Sequence, residues 1–125
     1  MGIHALIIEN DLDSIEVLAH MLRREDVSYT AVSRPTDLSP SDVDAVNVVF
    51  LDLDLPGMDG YQVYDLLRHQ YHLNVPIVAY TVNTNEKSTT RSLGFNGMLA
   101  KPLDPGCFSD QLRRLLNGEA LWDEC

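Results

Sequence analysis

Three side-chain carboxylates lie within eight residues in "VFLDLDLPGMDG", residues 49–60: Asp52, Asp54 and Asp59. Asp52 closes an apolar run, Asp54 follows two residues on, and Asp59 comes after the Pro56-Gly57 break. Elsewhere Glu9 and Asn10 follow the apolar run "IHALII", Thr81 follows "PIVAY", and Lys101-Pro102 follows "GMLA". Two carboxylates about 4 Å apart repel by roughly 4 kcal/mol at the effective dielectric of a protein surface. Glu9 and Asp52, if brought together, therefore need something positive between them, either Lys101 or a hard divalent cation. Mg²⁺ suits such a place because it takes few protein oxygens, keeps waters and is completed by phosphate. A carboxylate nucleophile, a metal, a hydroxyl donor and a lysine are the parts that phosphoryl transfer needs.

The elements that must deliver these groups can be read from hydrophobic spacing. Residues 3–8, 28–32, 48–52, 76–80 and 97–101 are short apolar or β-branched runs and predict five strands. The run at 48–52 is continuous, as in a parallel strand covered on both faces. Ile15, Leu18, Ala19 and Leu22, with Met21 alongside, predict a helix from 12 to 25. Val63, Leu66 and Leu67 mark a helix from about 59 to 70, and Phe108, Leu112, Leu115 and Leu116 mark a final one. Pro35 and Pro40 leave room only for a short helix over 40–46, with Ser39 as N-cap and Pro40 at its first position. Residues 83–92, "NTNEKSTTRS", are almost wholly polar and predict a weak, poorly anchored helix. Strand and helix thus alternate five times, which implies a doubly wound α/β fold with a parallel sheet between helical layers. Active sites in such sheets lie beyond the carboxyl ends of the strands, where Glu9, Asn10, Asp52, Thr81 and Lys101 all fall.

Composition bounds the function classes. At 125 residues, 45% hydrophobic and 22% charged, the chain reads as one globular domain, 1–125, with a C-terminal tail from about 118 to 125. A net charge of −10 argues against binding nucleic acid or an anionic membrane surface. No apolar run approaches the length of a membrane span, and no signal peptide is legible. The two cysteines, Cys107 and Cys125, read as free thiols, so the expected location is the reducing cytoplasm.

At this point the chain resembles the receiver domain of two-component response regulators. "LIIEN" resembles the first strand with its acidic pair, "FLDLDLPGMDG" the phosphoacceptor loop, "IVAYT" the switch strand and "LAKP" the lysine-proline motif. The resemblance implies a flavodoxin-like (βα)5 sandwich with a five-stranded parallel sheet in the order 2-1-3-4-5. It implies that Asp52 accepts the phosphoryl group, and that Glu9, Asn10, Asp52 and the backbone carbonyl of Asp54 hold Mg²⁺. Thr81 and Lys101 would meet phosphoryl oxygens, with Met98 at the family's switch position. Pro56, Gly57 and Gly60 would shape the loop, and the bond before Pro102 is usually cis in the family. The implied donor is a histidine kinase or phosphotransfer protein. The implied output is a downstream protein, or a second copy in a homodimer, met through the fourth helix, fifth strand and fifth helix. Catalysis would be limited to the domain's own phosphorylation and dephosphorylation.

The chain departs from the family at two site positions. Asn10 stands where the family has its main metal-binding aspartate, and Met98 where it has Tyr or Phe. An amide ligates Mg²⁺ without contributing charge, so weaker metal binding is expected. These departures leave open a pseudo-receiver, with the same fold and a binding role independent of phosphorylation. "FLDLD" also resembles the first motif of haloacid-dehalogenase-type phosphatases, although Leu55 and the motif's place on the third strand speak against that reading. Asp59 reads most simply as a helix N-cap, and Trp122 and Tyr61 as packing residues.

Overall fold

The structure is a computed structural model and describes residues 2–122. Five strands, β1 (His4–Ile8), β2 (Ser28–Val32), β3 (Val48–Leu51), β4 (Ile77–Thr81) and β5 (Gly97–Ala100), form one parallel sheet in the order β2-β1-β3-β4-β5. The helices between and after them are α1 (Leu12–Arg24), α2 (Pro40–Val43), α3 (Gly60–Asp65), α4 (Lys87–Leu93) and α5 (Phe108–Leu116). This is the expected doubly wound (βα)5 architecture. No helix of the described residues is long and apolar enough to cross a membrane.

Strand alternation divides the core in two. Leu6, Ile8, Val49, Leu51, Ile77, Ala79 and Met98 face one cluster, together with Val43 of α2, Val63 and Tyr64 of α3, and Leu67 just after α3. Ala5, Ile7, Val48, Phe50, Val78, Tyr80 and Leu99 face the other, with Ile15, Leu18 and Leu22 of α1 and Phe108, Leu112 and Leu115 of α5. Continuing that alternation one step past the strand ends places Glu9, Asp52 and Lys101 on the α1/α5 side. The period of two therefore gathers the acids and the lysine before any specific contact is made.

The helices begin and end for local reasons. The side chain of Asp11 caps α1 by accepting from the backbone N–H of Ser14 at 3.0 Å, and Arg23 and Arg24 fill its last turn, as the helix dipole favours. The helix expected over 40–46 stops at Val43, because Asp44 is extended and Ala45 has a positive φ of 61°. The helix expected over 59–70 is α-helical only to Asp65. Residues 66–70 form a wider π turn, closed by the Tyr71 N–H on the Leu66 carbonyl at 3.1 Å. Arg68 in that turn donates to the carbonyls of Leu73 and Val75 and to Asn96 Oδ1, all within 3.0 Å, and so braces the start of β4. The polar α4 is held by one buried residue, Thr90, whose hydroxyl donates to the Glu86 and Lys87 carbonyls. Gly94 (φ 106°) ends it in the left-handed conformation.

Two readings of the C-terminal region change. The segment read as a tail from 118 does not hang from α5. Leu121 bridges in parallel to Gly97, giving β5 a neighbour on its outer edge, while residues 123–125 lie outside the described residues. Cys107 is disulfide-bonded rather than a free thiol, and Cys125 lies outside the described residues.

Gly60 fixes how closely α3 approaches the end of β3. A Cβ there would lie 2.6 Å from the Leu53 Cα and 2.8 Å from the Asp52 carbonyl oxygen, both backbone atoms. Gly60→Ala is expected to push α3 away from the Asp52 loop and to destabilise the protein by about 1–3 kcal/mol. Urea unfolding measures this, and a change under about 0.5 kcal/mol would show that the loop yields freely.

Candidate functional site

The carboxyl edge of the sheet carries a compact charged cluster built from three strand ends. Glu9, one residue past β1, is completely buried. Its Oε1 accepts the backbone N–H groups of Asn10 and Asp11, each at 3.0 Å, and its Oε2 accepts a hydrogen bond from the Lys101 ammonium. Asp52, one residue past β3, is 3% exposed, and its Oδ1 lies 3.8 Å from Lys101 Nζ. The same oxygen accepts the Asp54 N–H at 3.0 Å, which orients the carboxylate across the loop. Lys101 packs over the ring of Tyr80, 4.8 Å from its centroid, so that a cation–π contact supports the ammonium from below. Tyr80 in turn donates to the Ser14 carbonyl at 3.0 Å, tying the site floor to α1.

The electrostatics follow from two acids sharing one cation. Burial pushes the Glu9 carboxyl above its ordinary value; the Lys101 hydrogen bond and the Asp11 N–H oppose this, and neighbouring Asp52 adds to it. Burial, then the carboxylates of Glu9, Asp11 and Asp52, push the Tyr80 phenol well above its ordinary value, so it stays a neutral donor. With both acids ionised, one negative charge remains beside Lys101. That excess, carried on hard oxygens, fits a Mg²⁺ ion that retains most of its waters. Among the described residues no three His, Cys, Asp or Glu side chains form a ready metal cluster. Of the side chains at this rim, Glu9 and Asp52 are the two acids that could hold such an ion.

The remaining residues singled out in the sequence take distinct places. Thr81 ends β4, fully buried; its Oγ1 accepts the Asn83 N–H at 3.0 Å, and its carbonyl accepts the Lys101 N–H at 2.9 Å. Asn10 is exposed beside Glu9. Met98 packs in the cluster on the α2/α3 side, opposite the face that Lys101 joins. Gly57 (φ 83°) turns the loop after Pro56, Gly60 opens α3, and the Lys101-Pro102 bond is cis. Asp59 is the N-cap of α3: its side chain accepts from Gln62 N at 2.9 Å and Gln62 Oε1 accepts from Asp59 N at 3.0 Å. Asp11 caps α1 and is not a third acid of the cluster.

Sequence reasoning missed Tyr80 and Tyr64, and gave Tyr61 its packing role without its hydrogen bond. Tyr80 reads as one more strand residue, although the two-residue alternation from Val78 places it on the Lys101 side. Tyr61 packs edge-on against Phe95, with centroids 6.2 Å apart, and also donates to the Glu86 carboxylate, tying α3 to the loop that follows Thr81. Tyr64 stacks on the same Phe95 at 4.2 Å, in the core cluster that also holds Met98. Nothing in local spacing signals the Tyr61–Glu86 or Tyr64–Phe95 contacts, which join residues far apart in the chain.

Comparison with known proteins shows the family and the fold. A family model described as the response regulator receiver domain matches residues 5–113. Sensory transduction protein RegX3 of Mycobacterium tuberculosis is 34% identical over 100 residues, covering 78% of this chain and 43% of that protein. Ethylene receptor 2 of Arabidopsis thaliana is 30% identical over 125 residues, covering 92% of this chain and 16% of the receptor. The chain thus spans less than half the length of the curated relatives it matches. Among solved structures, chemotaxis protein CheY4 of Vibrio cholerae matches with a TM-score of 0.81 at 20% identity, over 92% of this chain and 99% of that one. The receiver domain of a Pseudomonas aeruginosa sensor histidine kinase, with a magnesium ion coordinated in its active-site cleft, matches with a TM-score of 0.79 at 24% identity, over 94% and 99% of the two chains. At these identities the solved structures show the shared fold.

Proposed function

Because the chain belongs to the response regulator receiver domain family of two-component signalling, we propose that it accepts a phosphoryl group on Asp52 and changes a protein-binding surface in response. Domains of this family are signalling domains rather than classical enzymes. The observation that carries the reading is the convergence of Glu9, Asp52 and Lys101 at one rim, with Asp52 oriented by the Asp54 N–H. One Asp52 carboxylate oxygen attacks phosphorus, the phosphorus–nitrogen bond of a donor phosphohistidine breaks, and the electron pair returns to the imidazole. An ammonium has three N–H groups; Lys101 directs one to Glu9 and has others for a phosphoryl oxygen. Thr81, at the end of the next strand, supplies a hydroxyl to a second. Mg²⁺ held by Glu9, Asp52, the Asp54 carbonyl and Asn10 would neutralise the charge that the phosphoryl group brings.

The partners follow the same logic: a histidine kinase or phosphotransfer protein as donor, and a downstream protein at the face formed by α4, β5 and α5. The test is transfer of radiolabel from a phosphorylated histidine phosphotransfer domain to this chain in Mg²⁺, and its loss when EDTA is added. Label that stays wholly on the donor histidine with every donor tried, or transfer that is unaffected by EDTA, would contradict the reading.

A further inference from the structure

Residues 119–122 follow α5 and return along the outer edge of β5. Leu121 N donates to the Asn96 carbonyl at 2.9 Å, and its carbonyl accepts the Met98 N–H at 3.0 Å. The two residues then part as neighbours in a strand do. Leu121, 1% exposed, joins the α1/α5 cluster, whereas Trp122, 9% exposed, joins the α2/α3 cluster beside Met98 and Phe95. Arg91 of α4 lies over the Trp122 ring at 5.6 Å from its centroid. Gly97 is shaped for this contact, since a Cβ there would lie 2.5 Å from the Leu121 carbonyl oxygen and 2.9 Å from its Cβ. A groove of about 270 Å³ adjoins Trp122 between α4 and α5, its walls including Lys87, Leu103 and Gln111.

We propose that Leu121 and Trp122 act as an intramolecular competitor strand, and that a partner's extended segment with two adjacent large apolar residues docks on β5 only by displacing them. The proposal rests on the reading of the α4, β5 and α5 face as the one that meets partners. The seated pair defines the chemistry of the occupant. Two backbone hydrogen bonds add a strand to an open edge, and one apolar side chain goes to each face of the sheet, an aromatic being favoured where Arg91 lies. An edge strand left bare would invite indiscriminate pairing, so a tethered occupant also protects it. The tether is short, with Glu119 and Ala120 exposed and Gly118 (φ 84°) as its pivot. A segment held this way competes at an effective concentration of about millimolar, so a free segment of equal intrinsic affinity is strongly disfavoured.

The test uses the full chain, reduced and unphosphorylated, so that its outcome is independent of the Cys107 disulfide and of Asp52 chemistry. The probe is a synthetic peptide with the sequence of residues 117–122, NGEALW. In Leu121→Ala/Trp122→Ala the protein has no tryptophan, and the emission of the peptide alone reports docking. The variant is expected to bind the peptide at least about tenfold more tightly than the unaltered chain, measured on the latter with a labelled peptide. Adding Gly97→Val should abolish binding, because the new side chain fills the space of the docked carbonyl. Trp122→Ala alone serves if the double variant is unfolded by circular dichroism. A folded variant that does not bind, equal binding by the unaltered chain, or binding that survives Gly97→Val would overturn the proposal. So would self-association of the unaltered chain abolished by Gly97→Val, which would assign the edge to a second copy.

Discussion

Lys101→Met is expected to destabilise the protein by about 3–5 kcal/mol at neutral pH, because it leaves two buried carboxylates without their cation. Glu9 makes its ion pair with Lys101, and Asp52 lies 3.8 Å from the same nitrogen. Methionine keeps most of the aliphatic stem over Tyr80, so the loss isolates the charge. The residual structure should be rescued in part by millimolar Mg²⁺, which would take over the neutralising role, and phosphorylation should fall even where the fold is intact. Urea unfolding with and without Mg²⁺ reads both effects. A loss below about 1 kcal/mol would mean that solvent screens the acids far better than their burial implies.

Asn10→Asp is the second large effect, and it moves metal-free stability and metal affinity in opposite directions. It adds a third carboxylate beside Glu9 and Asp52 on a rim where one net negative charge already remains. Metal-free protein should become less stable through repulsion, while Mg²⁺ affinity should rise about tenfold, corresponding to about 1.4 kcal/mol. Thermal melting against Mg²⁺ concentration separates the two, since the variant should start lower and climb more steeply. Unchanged affinity would place Asn10, which is exposed in the structure, outside the metal's reach.

The parts of this fold that were legible in the sequence are those written in short periods. Five apolar runs separated by helical spacing define the β-α alternation, and the two-residue strand period carries Glu9, Asp52 and Lys101 to one side of one edge. Capping was also legible: Asp59 stands before α3 with Gln62 three residues on, a local pattern with a local cause. What escaped depends on contacts between distant segments. The π turn at 66–70 accompanies Arg68 reaching carbonyls after the helix and Asn96 beyond β4. The polar α4 was expected as a weak helix; its anchoring by buried Thr90, whose hydroxyl is satisfied by the Glu86 and Lys87 carbonyls, is what an apolar-face criterion overlooks. The strand-like return at Leu121 hid in a short polar tail. Its only sequence traces are the adjacent Leu121-Trp122 pair and a glycine at Gly97, whose need becomes visible only when the two are paired. The disulfide of Cys107 was likewise beyond what two widely separated cysteines can indicate.

The central claim is that Asp52 is the phosphoacceptor, and intact-mass spectrometry after incubation with acetyl phosphate and Mg²⁺ tests it most directly. The unaltered chain should gain the mass of one phosphoryl group, lose it on treatment with hydroxylamine as an acyl phosphate does, and fail to gain it in EDTA. Asp52→Asn should gain nothing under any of these conditions while melting cooperatively, since the amide keeps the shape and the acceptor oxygen that the Asp54 N–H uses. An adduct of equal yield on Asp52→Asn, or no adduct on the unaltered chain at saturating donor and metal, would contradict the account.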